Sequence, residues 1–114
     1  MLKFFSEMYD PMLHPPLKGY PLHAPPIAIE DVARQGWQLL QGDLPLPLAV
    51  LREKALTHNL NWMREFCRER GISLAPHGKT TMSPQLYRRQ LDAGAWAISF
   101  ATVYQAGIGV AHGV

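Results

Sequence analysis

The residues of this chain best equipped for chemistry are His77-Gly78-Lys79, where an imidazole and an amine stand two positions apart. Side chains alternate between the two faces of a strand, so Ala75, His77 and Lys79 are expected on one face and Leu74, Pro76 and Gly78 on the other. A lysine amine attacks carbonyl carbon only when neutral, and with an ordinary pKa of about 10.4 it is almost wholly charged at pH 7. Burial disfavours the ammonium form, which is how proteins make lysines that form Schiff bases with carbonyl compounds. A competing reading is structural. A lysine leaving a strand is commonly a solvated loop charge, and the neighbouring histidine can be a packed residue that only orients it.

The elements that must position these residues follow from the apolar pattern. From residue 44 onward, apolar runs alternate with amphipathic segments, the signature of βαβ units and a parallel sheet. The first strand is expected over residues 46–51. A helix over residues 53–70 follows, with Leu56, Leu60, Met63 and Cys67 making one apolar stripe and Gly71 as its stop. That stripe is expected to be core. The second strand, residues 72–76, leads into the lysine segment, and Pro76 should end or bulge it, as suits a site at a strand's C-terminal rim. Ser83-Pro84 offers an N-cap and a proline at the first helical position, predicting a helix to Ala93 that stops at Gly94. The third strand, residues 95–101, places Trp96, Ile98 and Phe100 on one face and Ala97, Ser99 and Ala101 on the other. Covering helices suit the large face; the small face suits either a bound molecule or close packing. Thr102-Val103-Tyr104-Gln105 reads as a capping box opening a further helix.

Composition narrows the function classes. An apolar content of 47% is that of a globular protein, and a net charge of +2 with scattered basic residues argues against nucleic-acid or membrane partners. The single cysteine, Cys67, has no internal disulfide partner and lies on an apolar stripe, which fits a reducing compartment. Residues 1–7 carry no signal-peptide pattern and no apolar run reaches membrane-spanning length, so a cytoplasmic location is expected. Six of the ten prolines fall in residues 1–26, predicting an extended arm in which His14 and His23 are surface residues without metal-ligand spacing. A short helix is expected over residues 29–40, weakened by Gly36.

Three stretches together are more specific than the lysine alone: Leu56-Thr57-His58-Asn59-Leu60, Pro76-His77-Gly78-Lys79-Thr80, and Gly94-Ala95-Trp96-Ala97 continuing to Ala101-Thr102-Val103-Tyr104-Gln105-Ala106. In this order they resemble the start of the barrel domain of the fold type III pyridoxal-phosphate enzymes, the alanine racemase-like group. Within it the likeness is to the D-threonine aldolase and D-serine dehydratase branch, including the bacterial D-serine deaminase-like amino acid deaminases. The resemblance implies an α/β fold in which residues 44–114 are the N-terminal part of a (β/α)8 TIM-type barrel, about three βα units, preceded by the proline-rich arm and short helix of residues 1–43. It implies pyridoxal phosphate carried on Lys79, which would serve as both cofactor-binding and catalytic residue, with His77 as catalytic or supporting neighbour.

The substrate implied is a D-amino acid such as D-serine or D-threonine, and the reaction that of a lyase or deaminase. Three βα units cannot close a barrel, so the chain is expected to be a fragment. The rest of the barrel, a C-terminal β-domain, and any divalent metal held there would lie outside it. A homodimeric parent is compatible with this reading. Many members of the branch carry arginine before the Pro-His pair and histidine soon after the lysine, whereas this chain has Ala75 before and Thr80-Thr81-Met82 after. Dehydration, retro-aldol cleavage and racemisation therefore stay open. Two alternatives remain: a barrel that binds pyridoxal phosphate without turning over amino acids, and an inactive truncated fragment.

Overall fold

The computed structural model describes residues 12–114; expectations that fall on residues 1–11 lie outside the described residues. The chain divides into two compact units at Val50/Leu51, and each is described by itself.

In the first unit the prolines prevent long ladders but not folding. Strand β1, Met12–Leu13, pairs antiparallel with β2, Ile27–Ala28, placing Met12 opposite Ala28 and Leu13 opposite Ile27. Pro15, Pro16, Pro21, Pro25 and Pro26 all fall outside the paired residues, in the connection between them. This connection is closed by hydrogen bonds from Leu17 N to His14 O, Tyr20 N to Leu17 O and Ala24 N to Pro21 O. The expected extended arm is thus, from residue 12 on, a small folded lobe. Tyr20 is its buried centre: the ring meets Trp37 edge-on at 5.5 Å, and the hydroxyl donates to the Pro25 carbonyl. Gly19 has φ +88, and a Cβ there would stand 2.6 Å from Leu48 Cδ1, so both conformation and space require glycine. The helix expected over residues 29–40 is instead two 3-10 segments, Ile29–Gln35 and Leu39–Gln41, ended by left-handed Gly36 and Gly42. Neither buries a residue, so no packing face sustains a longer helix.

No strand forms over residues 46–51 among the described residues. Pro45 and Pro47 have no N–H to donate, which removes alternate ladder bonds from the segment.

Among the described residues the second unit holds three α-helices. Helix α1, Glu53–Arg70, ends at left-handed Gly71 (φ +61), with Gly71 N and Ile72 N donating to the Arg68 and Cys67 carbonyls. Helix α2, Pro84–Asp92, begins on proline, and α3, Val103–Ala111, is capped by Thr102, whose Oγ1 accepts from Gln105 N at 3.2 Å. Gln105 Oε1 reaches back to Ala101 N at 3.1 Å, one residue beyond the N-cap of the usual box. Ser83 does not cap α2 through its side chain; its hydroxyl donates to Gln85 Oε1 instead.

The strands expected over residues 72–76 and 95–101 do not form as regular strands; the segments flanking α2 meet only in a short parallel contact around one bridge. Trp96 N donates to Leu74 O, Ser99 N to Pro76 O and Gly78 N to Ser99 O, each at 2.8 Å, with His77 opposite Ser99. Two residue steps on the first segment face three on the second, so the second carries a one-residue bulge. The bulge breaks the expected alternation: Trp96 is 77% exposed, while Ile98 is buried and Phe100 lies against the Tyr87 ring at 5.4 Å. The stripe of α1 is also not the core expected of it. No α1 residue is buried; Leu56, Leu60 and Cys67 are half-buried and Met63 is exposed. They line an open apolar cleft of about 600 Å³ whose opposite wall is Ile72, Leu74, Pro76, Gln90 and the turn Ala93-Gly94-Ala95. Among the described residues, no helix is long and apolar enough to cross a membrane.

Candidate functional site

Lys79 sits on a single 3-10 turn, Gly78–Thr80, which begins where the paired segment ends. Gly78 anchors that turn. A Cβ on it would meet Phe100 Cε1 at 2.8 Å, Ile98 Cγ2 at 2.9 Å and Tyr87 Cε1 at 2.9 Å, so three large side chains close over a residue that must have none. Its backbone is fully engaged as well. The N–H donates to Ser99 O, and the carbonyl accepts from Tyr87 Oη at 2.8 Å and Met82 N at 3.1 Å. Tyr87 is the largest fully buried side chain, and burial pushes its phenol above the ordinary tyrosine range, so the hydroxyl remains a proton donor to this carbonyl at neutral pH.

The turn closes with Met82 at φ 44, the only non-glycine with positive φ among the described residues. A left-handed methionine costs energy that the surrounding contacts must offset, and such residues cluster where a loop's path is functionally constrained. The Met82 sulfur lies 3.4 Å from Tyr87 Oη, within reach of the same anchor.

The odd and even residues separate as alternation requires: Ala75, His77 and Lys79 are exposed, while Leu74 and Pro76 are half-buried and Gly78 is buried. Lys79 is therefore presented outward from a fixed base, and its side chain forms no ion pair or hydrogen bond with a described residue. The burial expected of a Schiff-base lysine is not seen here: Lys79 is exposed. His77 stands at the start of the turn with Nδ1 3.1 Å from Ser99 Oγ, and Ser99 Oγ lies 3.3 Å from each of the Ala75 and Pro76 carbonyl oxygens. Sequence reasoning put Ser99 on the small face of its strand without giving it a partner. Its register opposite His77 is set by the bulge, which leaves no signature in residue type. Nor did it single out Tyr87, whose role depends on which turn its ring closes over.

No group of three or more histidine, cysteine or acidic side chains that could hold a metal ion occurs among the described residues. His14 is half-buried and His23 exposed, both within the first unit. Comparison with known proteins finds no family model that matches the chain, and no match among curated proteins.

Proposed function

We propose that this chain is the N-terminal part of a cytoplasmic, pyridoxal-phosphate-dependent lyase or deaminase acting on D-amino acids, with Lys79 as the residue that carries the cofactor. The observation that supports it is the outward, unpaired Lys79 on a turn locked by Gly78 and Tyr87 at the C-terminal ends of two parallel-paired segments. In α/β barrels, that end of the strands is where active sites are built. Two extended segments in parallel contact on either side of α2 are compatible with one unit of such a barrel. When bound, pyridoxal phosphate supplies an electron sink for the bond broken at the substrate Cα. The residues of this chain would then hold it at Lys79 Nζ and fix the lysine's base through the Gly78 carbonyl. His77 would provide a hydrogen-bonding imidazole on the same face.

The exposure of Lys79 favours a second reading for the 114 residues by themselves, that they hold the cofactor without turning over amino acids. Both readings share a first test. The chain is incubated with pyridoxal phosphate, reduced with borohydride and mapped by peptide mass. An adduct concentrated on Lys79 is expected, and is lost in Lys79→Ala. Labelling spread equally over Lys3, Lys18, Lys54 and Lys79 would remove the cofactor reading altogether. Release of pyruvate from D-serine by the complete parent protein separates turnover from mere carriage.

A further inference from the structure

The contacts around Ser99 determine more than its position. Its hydroxyl has one proton and three neighbours within reach: His77 Nδ1 at 3.1 Å and the Ala75 and Pro76 carbonyl oxygens at 3.3 Å each. A carbonyl oxygen can only accept, so two of the three neighbours require the hydroxyl proton and turn only lone pairs toward Oγ. Were the proton given to Nδ1 instead, the oxygen would face both carbonyls with lone pairs alone, an electrostatically repulsive arrangement. Directing the hydroxyl proton to the carbonyls makes all three contacts favourable, but only if Nδ1 carries a proton and donates it to Oγ. In a neutral imidazole the other nitrogen, Nε2, then holds the free lone pair.

We propose that Ser99 is a positioning residue that holds His77 as the Nδ1–H tautomer and leaves Nε2 as the proton-accepting atom. The relay runs from His77 Nδ1–H to Ser99 Oγ, and from the Ser99 hydroxyl to the Ala75 and Pro76 carbonyls. It is set by backbone, because Ser99 N and Ser99 O pair with Pro76 O and Gly78 N and so fix where Oγ stands. The contribution of His77 to a site at Lys79 rests on the cofactor reading above; the tautomer does not. A histidine whose outward nitrogen is already an acceptor can take up a proton without first rearranging its ring, which a base beside a reacting amine requires.

The test is the nitrogen-15 spectrum of the His77 ring in the full chain, recorded at about pH 8.5, where an ordinary imidazole is neutral. The expected result is Nδ1–H as the major neutral form. In Ser99→Ala that form should fall from majority to minority, while Ser99→Thr, which keeps the hydroxyl, restores it. Slow exchange of the Gly78 amide reports that the strand pairing survives each change. An Nε2–H majority in the unsubstituted chain, or a tautomer ratio unmoved by Ser99→Ala with Gly78 still protected, overturns the proposal. Should Ser99→Ala unfold the unit, the unsubstituted chain and Ser99→Thr still decide it. Failure of the cofactor reading would show separately, as an absent Lys79 adduct with the His77 tautomer intact.

Discussion

Lys79 can be held in place only if the residue before it is glycine. Gly78 has an ordinary backbone conformation, so the requirement comes from space: Phe100, Ile98 and Tyr87 each lie under 3 Å from where a Cβ would stand. Gly78→Ala must therefore displace packed rings, and overpacking of this kind costs about 1–3 kcal/mol. Denaturant unfolding of the variant should show that loss; unchanged stability would mean the three side chains are not closed over the turn. Tyr87→Phe provides the internal comparison. It keeps the ring and removes only the hydroxyl donated to Gly78 O, which still has Met82 N as a donor, so its effect should be nearer 1 kcal/mol. The alternation rule predicts exposed His77 and Lys79, and both are exposed, but Lys79 stands on a 3-10 turn where that rule no longer sets the face. The Tyr87 clamp and the Ser99 partner were not legible, because both depend on contacts made 9 and 22 residues away through a bulged pairing.

At the scale of elements, the sharpest agreement is α1, whose limits at Glu53 and Arg70 follow from an apolar stripe and a terminal glycine. Capping by Thr102 and proline entry into α2 are equally local signals, and they hold for the same reason. The apolar run over residues 46–51 forms no strand because Pro47 within it and Pro45 just before it have no N–H to give a ladder. What the sequence did not reveal is the clasp between helices. Arg89 on α2 donates through both terminal nitrogens to the two carboxylate oxygens of Glu53, and through one of them to Thr57 Oγ1 at 3.2 Å. Hydrogen bonds from Arg89 and then Thr57 hold the Glu53 carboxyl down to about 2, and its place in the first turn of α1 adds a favourable interaction with the helix dipole. A lowered folded pKa stabilises fully above the ordinary value of 4.5, and the contribution is lost as pH falls from there toward 2. The Tm deficit of Glu53→Gln should thus be constant near neutral pH, shrink steadily below about pH 4.5 and nearly vanish by pH 2. Because Glu53 is well exposed, added salt should shrink it too. A carbon-13 titration of Glu53 centred near 4.5 would show that the clasp does not form.

For the whole molecule, what matters is how much apolar surface the unit from Leu51 to Val114 leaves uncovered. The cleft beside α1 is open along Leu56, Leu60 and Met63, while Trp96 and Val103 are 77% and 90% exposed. Trp62 adds a further exposed ring, stacked on Phe66, and the Arg70 guanidinium lies over that same Phe66 ring. Exposed apolar area on this scale is costly in water at about 25 cal/mol per Å², and it is relieved by whatever covers it first. The paired segments add to this, since a two-segment parallel contact leaves backbone groups at its outer edges free to pair with another chain. If residues 44–114 are part of a barrel, the same faces are those that neighbouring strands and helices would cover. The chain should therefore bind a solvatochromic dye such as ANS strongly, and sediment with a mass that rises with concentration above 12.8 kDa. Val103→Lys, at the most exposed of these positions and outside the Lys79 turn, should reduce the association while leaving Lys79 labelling unchanged. A concentration-independent monomer with no dye binding would mean that the apolar faces are satisfied within the chain, and the barrel-fragment reading would lose its main physical motive.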